Sequence, residues 1–274
     1  MGRVAMPDHG VVQGSTLMAV VAHPDDDAYG IAGTVALHAH DPAFRFVLVH
    51  ATNGGGGDIR DGFPPTRESL GRIRMVEDER AWQAVGRPPD RHDWLGYPDG
   101  GVADVPFEEL VDAIAAVMEQ ERPTVVFTFG PDGIFGHPDH IAIGAAADAA
   151  FMRFAATSGS AFRRLIHGAI PQSVFDRWNT QRAQMGLWVW EPERTYHMRG
   201  VSDEQIGMTV DCRLVSHLIV AGLQEHRSQH HVFIDDPTDT ERWQRIVSRE
   251  SAVIAWPPRT PDQPVLRDVF EGLP

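Results

Sequence analysis

Two short segments carry the residue types that hydrolytic metal sites use: Ala22-His23-Pro24-Asp25-Asp26-Asp27 and Phe135-Gly136-His137-Pro138-Asp139-His140. An imidazole and a carboxylate three residues apart, His23 and Asp26, can converge on one divalent ion, and Pro24 stiffens the turn between them. Three successive carboxylates repel one another unless a cation or a helix N-terminus compensates. An acidic first helical turn would account for Asp26 or Asp27 alone, but not for the histidine beside them. In the second segment, histidines three apart can supply one ligand and one acid–base group. Taken alone that pattern also suits a surface histidine, with Asp139 as a plain helix N-cap. The two segments together are far more specific than either.

Both follow β-rich apolar runs and precede helical patterns. Residues 17–22, 44–52 and 124–129 read as strands, with a shorter one at 93–96. Residues 28–38, 66–85, 107–121 and 141–157 read as helices, and Leu110, Ile114 and Val117 recur on one face of the third. This alternation predicts an α/β fold, a Rossmann-like and mostly parallel sheet with helices on both faces, joined by right-handed crossovers. In such sheets functional groups collect at the carboxyl ends of strands. His23 follows one strand, Gly54 to Gly57 the next, Asp99 a third and His137 the fourth. The second half is less regular. Residues 162–196 read as further strands and loops, 210–226 as a helix, and the stretch from Pro257 as a Pro-rich surface tail. With no internal repeat or linker, a single domain over 1–274 is expected, its core at 17–150 and a substrate-side elaboration at 160–256.

Composition narrows the partners. Of 274 residues 42% are hydrophobic and 23% charged, as in ordinary globular chains, and the net charge is −14 with no basic stripe. Neither a nucleic-acid backbone nor an anionic membrane surface finds its counter-charges here. A single cysteine, Cys212, excludes an internal disulfide and a cysteine-rich zinc knuckle. Its neighbours do not activate it as a nucleophile. No run approaches the roughly 18 apolar residues of a membrane span. Residues 1–16 lack the apolar centre of a secretory signal, so a cytoplasmic protein is expected. Gly54 to Gly57 lacks the Lys-Ser/Thr ending of a phosphate loop and reads as a flexible substrate-side loop. No G-x-G-x-x-G follows the first strand, which disfavours a dinucleotide oxidoreductase.

His-Pro-Asp-Asp-Asp and Gly-His-Pro-Asp-His, with Arg74-x-x-Glu77-x-x-x-Ala81 and Gly96-Tyr97-Pro98-Asp99-Gly100-Gly101 between them, resemble the PIG-L/LmbE family of zinc-dependent N-deacetylases. Matching segments span residues 17–150, with a fainter echo in residues 223–229. The family includes GlcNAc-phosphatidylinositol deacetylases, mycothiol- and bacillithiol-pathway deacetylases, and deacetylases that tailor glycopeptide antibiotics. The resemblance implies His23, Asp26 and His140 as zinc ligands, a set that would also suit iron(II), and it leaves the metal an open position. It further implies Asp25 as general base, a cationic His137 as general acid or oxyanion stabiliser, and Asp139 as a residue that orients an imidazole. The substrate class it implies is an N-acetyl amino sugar in a small molecule or glycoconjugate. Asp99 would bind a sugar hydroxyl or merely form a turn. Arg74 would support the site or contact substrate, unless it is a surface ion-pair partner of Glu77 or Asp78. His226 and Gln229 would approach from the C-terminal helix, while His230 and His231 read as solvated. Two departures stand out: Asp27 replaces the usual Glu, and Phe135 stands where some members carry a tyrosine that assists the oxyanion. An amidase acting on a larger conjugate and a sugar-binding relative with little turnover are the rival readings. Trp188 and Trp190 read as core, or as an aromatic wall for a bulky substrate.

Overall fold

The computed structural model describes residues 15–59, 65–156, 159–230, 238–260 and 262–273. β1 (Thr16–Val21) is buried along its whole length, as its unbroken apolar run requires of a central parallel strand. It pairs in parallel with β2 (Arg45–Thr52) on one side and β4 (Val125–Phe129) on the other. β3 (Arg91–Tyr97) extends the sheet beyond β2, and β5 (Arg164–Gly168) beyond β4, both in parallel. β6 (Ile206–Asp211) and β7 (Arg249–Trp256) complete seven strands in the order β3-β2-β1-β4-β5-β7-β6, with β7 antiparallel to both neighbours. The expected α/β class and mostly parallel sheet are therefore present. The order reverses direction at β1, where β2 and β4 diverge, the place in such a sheet where ligands bind.

Several expected elements differ. The helix expected over residues 28–38 is two, α1 (Asp26–Gly30) and α2 (Ala32–Leu37). Ile31, at φ −143°, breaks them, and Gly30 presses against the Phe127 ring where a Cβ would not fit. Residues 162–196 contain not only β5 but a helix, designated α7 below, because Pro171 starts a new helical turn. The helix expected over 210–226 is β6 followed by a shorter helix, α8 below, since Val210 belongs to the strand. The stretch from Pro257 is no surface tail at its end. Leu266 bridges to Met208, Val269 and Phe270 are buried, and Asp268 meets His38 at 2.8 Å.

α3 (Arg67–Val85) starts at a Thr66–Ser69 capping box and stops at Gly86, whose φ of 88° favours glycine. Its buried face carries Leu70, Ala81, Trp82 and Val85, but also Arg74, Glu77 and Asp78. Charged residues on the inner face of a helix cost stability unless something beneath them uses them. α4 (Phe107–Glu121) buries the expected Leu110, Ile114 and Val117. A kinked turn, α5 (Gly133–Gly136), leads into α6 (Pro138–Ala155), which has Pro138 in its first turn. α7 (Gln172–Gln184), α8 (Ser216–Leu223) and α9 (Thr240–Ile246) follow. Among the described residues no helix is long and apolar enough to cross a membrane.

Candidate metal centre and active site

The β1–α1 turn and the start of α6 meet above the carboxyl ends of β1 and β4. His23 Nδ1 lies 3.2 Å from His140 Nε2 and 3.3 Å from an oxygen of Asp26, whose other oxygen is 3.2 Å from His140 Nε2. The outward nitrogen of each ring faces an acceptor. His140 Nδ1 is 3.2 Å from the Gly133 carbonyl, and His23 Nε2 is 3.0 Å from Asp99 and 3.3 Å from Asp139. With protons placed on those outward nitrogens, both inward nitrogens present lone pairs to each other and to a carboxylate. Such a triangle repels itself unless a cation stands within it. A tetrahedral divalent ion with bonds of about 2.1 Å holds its ligands roughly 3.4 Å apart, so His23, Asp26 and His140 fit a metal in spacing and in donor type. Burial alone would lower the His23 pKa, yet hydrogen bonds with Asp139, Asp26 and Asp99 raise it well above 6.5. The site calls for positive charge.

Asp25 sits at φ 103°, a strained value for a residue with a side chain. Its carboxylate is buried, and an Arg74 nitrogen stands 3.2 Å from it. Arg74 also donates to the carbonyls of Pro24 at 2.6 Å and Gly54 at 2.9 Å. It is thus no surface ion-pair partner but a buried clamp that ties α3 to the two loops. Burial pushes the Asp25 pKa up to about 7, although the Arg74 charge opposes the rise.

His137 caps α6: its Nδ1 accepts from the Asp139 amide at 3.1 Å, which leaves Nε2 to carry the proton. Its ring centroid is 4.7 Å from His23 and 4.9 Å from His140. Burial, reinforced by those two rings, lowers its pKa to about 4. The structure therefore favours a neutral Nε2–H donor over the expected cation. Asp139 accepts from the amides of Gly100 and Val102 while facing His23. Asp99 accepts from Gly56 at 2.8 Å with one oxygen and meets His23 with the other. A carboxylate engaged in this way is placed to orient an imidazole. The Gly54 to Gly57 loop is tied down, too. Arg67 donates to Gly55 and Gly57 at 2.7 Å each, and Arg74 to Gly54.

His226 and Gln229 line a small cavity together with Asp25 and Tyr29. His226 is buried beside Asp27 and Arg74. Gln229 donates to the Asp58 carbonyl at 3.1 Å, and its neighbour Ser228 donates to Glu77. The 223–229 segment thus braces α3 and the glycine loop from behind. His230 is half-buried, and His231 lies outside the described residues.

Sequence reasoning missed Tyr196. Its amide donates to the Phe135 carbonyl at 2.8 Å, and its ring stands edge-on, 5.3 Å from His137. It lies in an irregular stretch with no periodic signal, so only the folded chain brings it to the site. The Arg182 guanidinium lies 4.5 Å from the ring centroids of both Trp188 and Trp190, which stand perpendicular to each other, and Trp188 is exposed rather than core. Cys212 is buried beside Glu250, both of which raise its pKa, so it is inert.

Comparison with known proteins agrees with this geometry. Residues 18–151 match the family described as PIG-L, GlcNAc-PI de-N-acetylase, and the chain carries a domain of that family. Over 290 aligned positions it is 29% identical to a 1D-myo-inositol 2-acetamido-2-deoxy-alpha-D-glucopyranoside deacetylase of Saccharomonospora viridis, covering 94% of this chain and 100% of the relative. The fold resembles N,N'-diacetylchitobiose deacetylase from Pyrococcus horikoshii, with a TM-score of 0.57 and 21% identity, covering 88% of this chain and 83% of that one. It also resembles GalB, the 4-carboxy-2-hydroxymuconate hydratase of Pseudomonas putida, with a TM-score of 0.60 and 15% identity, covering 91% and 100%. At such identities the structural likeness shows the fold alone.

Proposed function

We propose that this protein is a zinc-dependent N-deacetylase that removes the acetyl group from an N-acetylglucosaminide. The observation that carries the reading is the triangle of His23 Nδ1, His140 Nε2 and Asp26, held 3.2–3.3 Å apart. His23, Asp26 and His140 would hold the metal, with zinc the first choice and iron(II) compatible with the same donors. Bound there, a divalent metal polarises an amide carbonyl and acidifies water.

The chain's own residues supply the rest. Asp25, adjacent to Asp26 and gripped by Arg74, accepts the proton of the attacking water. His137 offers Nε2–H to the carbonyl oxygen as negative charge builds there, and the proton that Asp25 took from the water is the one that passes to the departing amine. Asp139 and Asp99 hold the His23 ring in orientation. Phe135 packs edge-on against His140 at 4.7 Å and offers no donor, so Tyr196 is the side chain placed to contact substrate beside His137.

The amino-sugar substrate is supported by the relatives' activities together with a polar site that has aromatic residues beside it. Amine release, followed with fluorescamine over a panel of N-acetylglucosaminides, tests the reading. Wild type is expected to release amine from at least one member and Asp25→Ala from none. A wild type as silent as Asp25→Ala across the panel leaves a sugar-binding relative as the better account.

A further inference from the structure

Behind Asp25 and Asp26, a second set of donors faces inward with no use in the reaction described above. His50 on β2, Asp27 on α1 and Asp78 on α3 are each fully buried. Three of their atoms, His50 Nε2, Asp27 Oδ1 and Asp78 Oδ1, have no hydrogen-bond partner, and neither does Asp78 Oδ2. These atoms face one another: His50 Nε2 is 3.4 Å from Asp27 Oδ1 and 3.9 Å from Asp78 Oδ1. His92 Nε2 stands 3.8 Å from Asp78 Oδ2 and 2.9 Å from His50 Nδ1.

Burial, with His50 nearby, lowers the His92 pKa to about 4, so His92 is neutral. If His50 Nδ1–H donates to His92, the His50 Nε2 lone pair points at two carboxylates. In the opposite tautomer, His50 Nε2–H reaches Asp27 only at 3.4 Å, beyond an ordinary hydrogen bond. Burial, with Asp27 and Asp25 close by, pushes the Asp78 pKa well above the ordinary carboxylate value, and neither Asp78 oxygen has a hydrogen-bond partner. The surrounding residues are rigid. Trp82 Nε1 donates to the other Asp27 oxygen at 2.5 Å, and the His50 ring stacks on Trp94 at 4.4 Å.

We propose that Asp27, His50 and Asp78 form a second divalent-cation site, distinct from the triangle of His23, Asp26 and His140. One imidazole and two carboxylates suit a first-row divalent ion such as zinc or manganese. Bonds of about 2.1 Å close the present gaps with shifts of roughly a few tenths of an ångström. His92, hydrogen-bonded to His50 Nδ1, holds the ligand ring in its metal-binding tautomer. The ion would pin α1, β2 and α3 together directly beneath the strained turn at Asp25. Its place is structural rather than catalytic.

Metal-stripped wild type, re-equilibrated with buffered zinc and counted by mass spectrometry of the metal, is expected to hold two ions per chain. Asp78→Asn, isosteric and checked for folding by circular dichroism, is expected to hold one, as is His140→Ala. The pair combined in one chain should hold none. Wild type that saturates at one ion overturns the proposal without recourse to any variant, and so does Asp78→Asn that keeps both. A protein that releases no amine yet loses one ion on Asp78→Asn upholds this site while sinking the deacetylase reading.

Discussion

Asp25 combines a positive φ, burial and a guanidinium at one oxygen, and each has a consequence that can be measured. As the base, it should lose about 10²- to 10⁴-fold in kcat on replacement by Asn, with bound metal unchanged because the ligands are untouched. A drop in metal content of the same size would make Asp25 a ligand instead. Arg74 acts through Asp25 and the loops. Arg74→Lys keeps the charge but loses the fork that reaches Pro24, Gly54 and Asp25 together. It should lower kcat on the order of tenfold or more while leaving KM nearly unchanged; a pure KM effect would instead place Arg74 on the substrate. His23 and Asp26 were legible from their spacing, and His140 from the resemblance of its segment to the family motif. Arg74 was not, because a polar helix such as residues 66–85 reads as exposed, and only tertiary packing shows that its charged face is the inner one.

Loops at the strand ends set the site, and the glycine loop after β2 sets it most tightly. Gly54 has φ 68°, and a Cβ there would lie 2.4 Å from the Arg74 guanidinium. Gly54→Ala should therefore cost about 1 kcal/mol or more in urea unfolding from backbone strain alone and reduce kcat as Arg74 is displaced. Unchanged kcat would mean that the loop does not position the site. β1, β2 and β4 were readable because parallel, doubly buried strands are unbroken apolar runs. The end of the chain was not. β6 and β7 are short antiparallel additions whose register depends on partners distant in sequence, such as Ala252 against Gly168 and Met208. The break at Ile31 answers to the Phe127 ring facing Gly30, a contact that no local pattern encodes.

At the scale of the molecule, stability depends in part on keeping His226 neutral. His226 is buried with both ring nitrogens unpartnered, and burial holds its pKa down at about 4 against an ordinary 6.5. The unfolded chain thus takes up the proton first. The contribution of His226 is complete above pH 6.5 and declines as pH falls toward 4, amounting to about 2 kcal/mol lost by pH 5. Denaturant unfolding of wild type and His226→Leu at pH 8 and pH 5 should show a flatter dependence in the variant; equal slopes would mean that His226 is protonated in the fold. The proposed function requires His23, Asp26 and His140 to meet on one ion, and metal removal tests that most directly. Protein stripped by chelation should release no amine from an N-acetylglucosaminide on which the loaded enzyme acts, and added zinc should restore release in wild type but not in His140→Ala. Stripped protein as active as loaded protein would contradict the account at its centre.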